Sequence, residues 1–222
     1  IKQHFTKDRA TVLLLDDLTA TLGGKELQSI VHGVIRLENL TPHYGTDRRR
    51  MRVTKLRGIA YRGGYHDYVI QRGGITVFPR LVANEHGDEN ARKVLPSGVS
   101  GIDQLFCGGV QRGTSTLLMG PAGSGKSTIA LQFVISACAR GERAEMYIFD
   151  EGRGSLLMRA RGMGFPIEEY LKNDLVRIHQ IDPAEISPGE FSGMMRTAVE
   201  DRKASVIVVD SLNGYLNAMP DE

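Results

Sequence analysis

"GPAGSGKST", Gly120–Thr128, fits the pattern G-x-x-x-x-G-K-[ST], and its surroundings decide how the chain folds. The apolar run "TSTLLMG", Thr114–Gly120, precedes it, and the apolar stretch "IALQFVISACA" follows it. A strand, a glycine-rich turn and a helix in that order form a phosphate cradle. Gly120, Gly123 and Gly125 let backbone N–H groups turn inward around phosphate oxygens, and the helix N-terminus adds partial positive charge. Pro121, Ala122, Ser124 and Thr128 complete the loop. Lys126 is placed to reach β- and γ-phosphates, and Ser127 offers a hydroxyl to Mg²⁺. The expected ligands are therefore ATP and Mg²⁺.

Downstream, helix and strand alternate. The pattern predicts a helix at Ser127–Arg140, a strand at "AEMYIFD", helices at Ser155–Arg161 and Ile167–Lys172, and a strand at "LVRIHQI". A helix around Phe191–Arg202 and a strand at "SVIVVD" follow. Such alternation implies an α/β fold with a mostly parallel sheet and helices on both faces. Open sheets of this kind bind ligands at the carboxyl ends of their strands, and three acids fall there. Asp210 ends "SVIVVD" and is the expected second metal ligand beside Ser127. Asp150 and Glu151 end "MYIFDE"; Glu151 is the expected base that orients water for in-line attack, with Asp150 as its partner. Asp16 and Asp17 of "VLLLDD" lie far upstream of the loop and read as strand-end residues.

Upstream of residue 83 the chain reads as mostly β: "ATVLLLD", "SIVHGVIRLEN", "RMRVTKLRG" and "DYVIQRGGITVFPR". A helix-like stretch covers Ile1–Asp8, and Gly73-Gly74 marks a two-residue hairpin turn. "ANEHGDENARKVLPSG", Ala83–Gly98, has the polar composition of a linker. Ser100 and Asp103 then suggest a capping box on a short helix ending at Gly108-Gly109. The chain starts at Ile1 and stops soon after "SVIVVD", which reads as a piece of a longer polypeptide.

A formal net charge of +2, from 28 basic and 26 acidic side chains, rules out an overall field that would drive the molecule onto nucleic acid or anionic membrane. The run "RRRMRVTKLRG", Arg48–Gly58, is a local exception. Cys107 and Cys138 are too few for a disulfide framework and read as inert packing thiols in a reducing compartment. Apolar runs are too short for a helical membrane span, so the expected location is the cytoplasm. The histidines lack metal-ligand spacing.

With these features in place, the chain resembles the KaiC-like branch of the RecA-type P-loop ATPases. "LPSGVSGIDQLFCGGVQRGTSTLLMGPAGSGKST" is similar to the opening of a KaiC-type domain, and "IFDEGRGSLL" resembles the family's paired acids and following Arg. "HGVIRLE", "RRRMRVTKLRG" and "GGITVFPR" resemble the closing segment of such a domain. The resemblance implies the end of a first domain at 1–86, a linker at 87–97 and the start of a second domain at 98–222. It implies tandem ATPase domains in a hexameric ring, with nucleotide held between neighbouring subunits. Lys55, Leu56 and Arg57 of "KLRG" would then reach the nucleotide of the adjacent subunit, with the two cations acting as an electrostatic clamp on γ-phosphate.

The implied function is an ATP-hydrolysing signalling or timing protein. Serine/threonine autokinase activity is an extension of that reading, with its acceptor region beyond Glu222, and regulatory proteins are partners whose identity the sequence does not give. The alternative is a RecA- or RadA-like DNA-dependent ATPase, because Tyr61, Tyr65 and Tyr68 interleave with the arginines in the manner of a single-strand binding groove.

Overall fold

The computed structural model describes residues 11–17, 28–42, 45–81 and 93–217. The helix expected at Ile1–Asp8 and most of the expected linker fall outside these. Residues 11–17, expected as a strand, run without regular structure, and Leu13 and Leu15 are exposed.

β1 (Gly33–Leu40), β2 (Arg48–Leu56), β3 (His66–Gln71) and β4 (Gly74–Phe78) form an antiparallel sheet in sequence order. A helical turn occupies residues 28–30, so the first strand starts later than the sequence suggested. Gln71 pairs with Gly74, which makes Arg72 and Gly73 the hairpin loop. The expected turn was one residue too far along: Gly74, at φ 131°, already belongs to the ladder, and Gly73, at φ 104°, supplies the left-handed backbone that the turn needs.

β5 (Val94–Leu95) and β6 (Val110–Gln111) form a small antiparallel pair on either side of α1 (Ser100–Leu105). Asp103 does not join Ser100 in a capping box. Its carboxylate accepts from the Ser97 backbone N–H at 2.6 Å, the Ser97 hydroxyl at 2.7 Å and the Gly98 N–H at 3.2 Å. These bonds, that from the Ser97 hydroxyl first, hold the Asp103 carboxyl below its usual range.

The second sheet is parallel, in the order β8 (Val176–Gln180), β7 (Arg143–Ile148), β9 (Ala204–Asp210). Strand residues alternate between faces, and here both faces are covered. Ala144, Met146 and Ile148 join Val176, Ile178 and Val206 in a core with Leu131, Val134 and Cys138 of α2 (Lys126–Ala139). α3 (Arg153–Gly162) adds Leu156 and Ala160 to that core, and α4 (Ile167–Lys172) adds Ile167. On the opposite face, Tyr147 packs with Phe191 of α5 (Pro188–Glu200), with Met194, Met195 and Phe149 around them. α5 starts as its sequence dictates, with Pro188 in the first turn and the Ser187 hydroxyl accepting from the Glu190 N–H at 3.1 Å. α6 (Leu212–Asn217) follows β9.

The four-stranded sheet and the parallel sheet meet through α5. The Gly189 N–H donates to the Asp67 carboxylate of β3 at 2.7 Å, and Gly193 lies against Phe78 of β4, where a Cβ would sit 2.8 Å from the ring. Among the described residues no helix is long and apolar enough to cross a membrane.

One expected element is missing. Residues 115–120, just before the glycine-rich loop, form no strand, and Leu117 and Met119 are 64% and 83% exposed. A strand exists only by pairing, and among the described residues β9 pairs with β7 alone.

Candidate functional site

α2 begins at Lys126, directly after the glycine-rich loop. Gly125 caps it in the left-handed region at φ 91°, and Gly123 lies at φ 77°. Both positions need glycine for the backbone, whereas Gly120 is needed for space: a Cβ there would lie 2.6 Å from the Ser124 hydroxyl. The 14 residues of α2 aim their first N–H groups and dipole at this loop.

Lys126 and Ser127 share a cavity of about 290 Å³ with Asp210 and Ser211 at the end of β9, and residues 116–118 form another wall. This places a cation, a hydroxyl and a carboxylate around one space at the carboxyl edge of the parallel sheet. Lys126 is folded onto its own loop, donating to the Gly120 and Pro121 carbonyls at 2.9 Å each. Those are weak neutral acceptors, and a phosphate oxygen would compete well for the ammonium.

Asp150 and Glu151 lie in the bend between β7 and α3. Asp150 accepts a hydrogen bond from the Ser211 hydroxyl, and the same Ser211 oxygen accepts from the Gly214 N–H at 3.1 Å. The peptide joining Asp210 to Ser211 is cis. Glu151 does not line the cavity; its Oε2 lies 2.8 Å from Nη2 of Arg159. Sequence reading missed Ser211 and Arg159. Ser211 carries a signal, being the hydroxyl next to the strand-end acid, whereas Arg159 has none short of knowing that α3 folds back beside the bend.

The fit to Mg²⁺ follows from the donors. Among the described residues no group of three or more His, Cys, Asp or Glu could hold a metal ion. A hard cation at Ser127 and Asp210 would thus depend on nucleotide oxygens and water for the rest of its shell, which suits Mg²⁺.

The basic run resolves into separate contacts. Arg50 pairs with Glu38 at 2.9 Å and lies over the Tyr65 ring at 3.9 Å, with Arg52 over the same ring at 5.1 Å. Arg48 is buried, at 8% exposure. Lys55 donates to the Gln28 and Ser29 carbonyls at 2.6 and 3.1 Å, and Arg57 to the Ser29 carbonyl at 2.9 Å. The shared face expected of Lys55 and Arg57 is present, while Leu56 between them pairs with Gly33 in the ladder. Tyr61 is half exposed, its hydroxyl donating to the Thr54 carbonyl at 3.4 Å. The two thiols differ: Cys107 is exposed, contrary to a packing role, and Cys138 is buried, which pushes its pKa up to about 11.

Comparison with known proteins agrees with this geometry. Over 166 residues the chain is 30% identical to the circadian clock oscillator protein KaiC of Synechococcus elongatus, a match covering 75% of this chain and 32% of the relative. The corresponding protein of a Picosynechococcus species is 29% identical, and that of Acaryochloris marina 28%, with the same coverage. The chain thus spans about a third of the length of the curated relatives it matches. The family profile described as "ATPase: KaiC" matches residues 95–222, more than half of the chain, and the parallel sheet, glycine-rich loop and following helix all lie within that range. The chain belongs to the KaiC family of RecA-like P-loop ATPases.

Proposed function

We propose that this chain is part of a ring-forming ATPase that hydrolyses Mg²⁺-ATP at the Gly120–Thr128 loop. The observation that carries the reading is the meeting of Lys126, Ser127 and Asp210 around one cavity at the start of α2. In this reading the Ser127 hydroxyl and the Asp210 carboxylate hold Mg²⁺, which supplies charge neutralisation to phosphate oxygens. Lys126 leaves the Gly120 and Pro121 carbonyls for the β- and γ-phosphates, and the loop N–H groups donate to the same oxygens. Glu151, with Asp150 beside it, accepts a proton from the water that attacks the γ-phosphorus, and the bond to the β–γ bridging oxygen breaks.

The domain division belongs to the same proposal: the end of one KaiC-type domain at 1–86, a linker at 87–97, and the start of a second at 98–222. Lys55, Leu56 and Arg57 then form the trans edge that reaches a nucleotide on a neighbouring subunit of a hexameric ring. Their present acceptors, the Gln28 and Ser29 carbonyls, are neutral and would yield to phosphate. A signalling or timing role, autophosphorylation on serine or threonine, regulatory partners and a cytoplasmic location extend this reading from the resemblance. The DNA-dependent alternative gains no support from the basic run, because Arg50 and Arg52 are occupied with Tyr65 and Glu38.

Phosphate release by the full chain tests the proposal. Glu151→Gln is expected to keep ATP affinity and lose about 100-fold in turnover. A variant as fast as wild type would remove Glu151 from the mechanism, and turnover that rises only with single-stranded DNA would favour the alternative.

A further inference from the structure

The proposed base is already paired. Glu151 Oε2 and Arg159 Nη2 lie 2.8 Å apart, with the two side chains 25% and 32% exposed. Much of the pair is shielded from water, so its attraction is screened less than that of a surface ion pair.

The local sequence permits this contact. Helical side chains lean toward the helix N-terminus, so Arg159 extends back along α3 toward the bend that carries Glu151. Four and seven positions before it stand Ser155 and Gly152, small residues that leave the long stem room on that side of the helix. Another basic residue of the helix is engaged elsewhere: Arg161 pairs with Glu168 of α4.

The guanidinium is held by charge rather than by a full set of hydrogen bonds. Nε and Nη2 of Arg159 are covered from solvent, and among the described residues neither meets an acceptor in hydrogen-bonding geometry; the approach of Nη2 to Glu151 is close but off the donor line. Covered N–H groups without acceptors are costly. Among the described residues the pairing that remains is the one with the proposed base.

We propose that Arg159 is the positioning residue for Glu151. It holds Oε2 and thereby leaves Oε1 as the oxygen that accepts the proton from water. This rests on the reading of Glu151 as the base. A carboxylate at the end of a flexible stem loses rate when its orientation is not fixed, and a small misplacement of a reacting group is enough to cost orders of magnitude. Arg159 touches neither nucleotide nor water in this scheme and acts only through Glu151.

The test is steady-state ATP hydrolysis, with ATP affinity measured alongside, on the full chain carrying Arg159→Met, Arg159→Lys, Glu151→Gln, and Glu151→Gln with Arg159→Met. Arg159→Met keeps most of the stem and is expected to lower kcat about 10- to 100-fold while KM stays within about twofold. Arg159→Lys should recover part of the loss, since an ammonium keeps the charge but not the planar fork. In the Glu151→Gln background, adding Arg159→Met should change nothing further. The proposal is overturned if Arg159→Met leaves kcat unchanged or raises it, if Met and Lys lose activity equally, or if both lose ATP binding. It also falls if the Arg159 and Glu151 losses multiply. The two readings fail differently. Wild-type turnover in Glu151→Gln removes the base and the positioning residue with it, whereas an inactive Glu151→Gln beside a fully active Arg159→Met removes Arg159 alone.

Discussion

The four-stranded antiparallel sheet and the three-stranded parallel sheet use the same alternation of side chains and meet different surroundings. In β7 successive residues point to opposite faces and both sets are buried: Ala144, Met146 and Ile148 under α2, Glu145 and Tyr147 under α5. In the antiparallel sheet, Ile35, Leu37, Ile70, Ile75 and Val77 share one face through the strand register, and all are exposed by 39% or more. Alternation therefore sets direction, and a covering layer sets burial. The covered sheet carries the acids and the glycine-rich loop at its carboxyl edge. The sheet with an open face carries Lys55 and Arg57, which lie at its margin against the Gln28 and Ser29 carbonyls.

The sharpest way to break the covered region is through the buried charge of Glu145. The Glu145 side chain is 3% exposed; it pairs with Arg202 and lies 2.5 Å from His179 Nε2, and the Tyr147 hydroxyl donates to it at 3.4 Å. Burial, with the Glu145 charge beside it, also pushes the Tyr147 phenol up, so that hydroxyl remains a donor. Removing one partner of a buried ion pair leaves a charge without compensation and costs about 3–5 kcal/mol. Arg202→Met should lower the unfolding free energy by that amount in urea titration, and a loss below about 1 kcal/mol would mean that His179 and solvent already carry Glu145.

Methylene burial gives the next contrast. Met146 is fully buried and Ile70 is 60% exposed, although both are large apolar strand residues. Met146→Ala is expected to cost about 2–5 kcal/mol. Ile70→Thr should stay within about 0.5 kcal/mol, since it keeps a β-branched side chain on an exposed face. Equal losses at the two sites, read from the same denaturant titration, would show that the antiparallel face is covered in solution.

The same contrast explains what was legible in the sequence. The helices and parallel strands after Lys126 follow from periodicity and stand within a few residues of their expected bounds, because each pattern is enforced by a core on both faces. Long-range partners were not legible. The run at 114–120 has the composition of a strand, but strand formation depends on a neighbour that composition does not reveal. Asp103 was expected to cap its own helix and instead binds Ser97 and Gly98, since the leader of the helix turns back over it. The arginines of β2 suggested phosphate, yet Tyr65 and Glu38, distant in sequence, meet Arg50 across the sheet. At the site, the spacing of the loop and the strand-end position of Asp210 were readable, while the pairing of Glu151 with Arg159 depends on how α3 packs.

Protonation gives the smallest expected effect, and it separates the two regions once more. Glu142, in the turn between α2 and β7, is half-buried, and burial alone would raise its carboxyl pKa. The Ser205 hydroxyl beside it, with the hydrogen bonds that Arg112 and Arg140 donate, outweighs that and holds it at about 2, against an ordinary 4.5. A carboxyl held lower in the folded state than in the unfolded chain stabilises the fold above its ordinary pKa, and that contribution disappears as pH falls through the folded value. The window is therefore from about pH 4.5 down to about pH 2. Glu142→Gln should melt below wild type at neutral pH, and the gap should close across that window. Glu38 of the antiparallel sheet is also held low, by the Tyr65 hydroxyl first and by Arg50 after it, but it has one guanidinium in contact where Glu142 has two. Glu38→Gln should accordingly give a gap of the same sign and smaller size, because one fewer charged donor is lost with the carboxylate. A Glu142 gap that does not change with pH would mean that the carboxylate's partners act through packing rather than through charge.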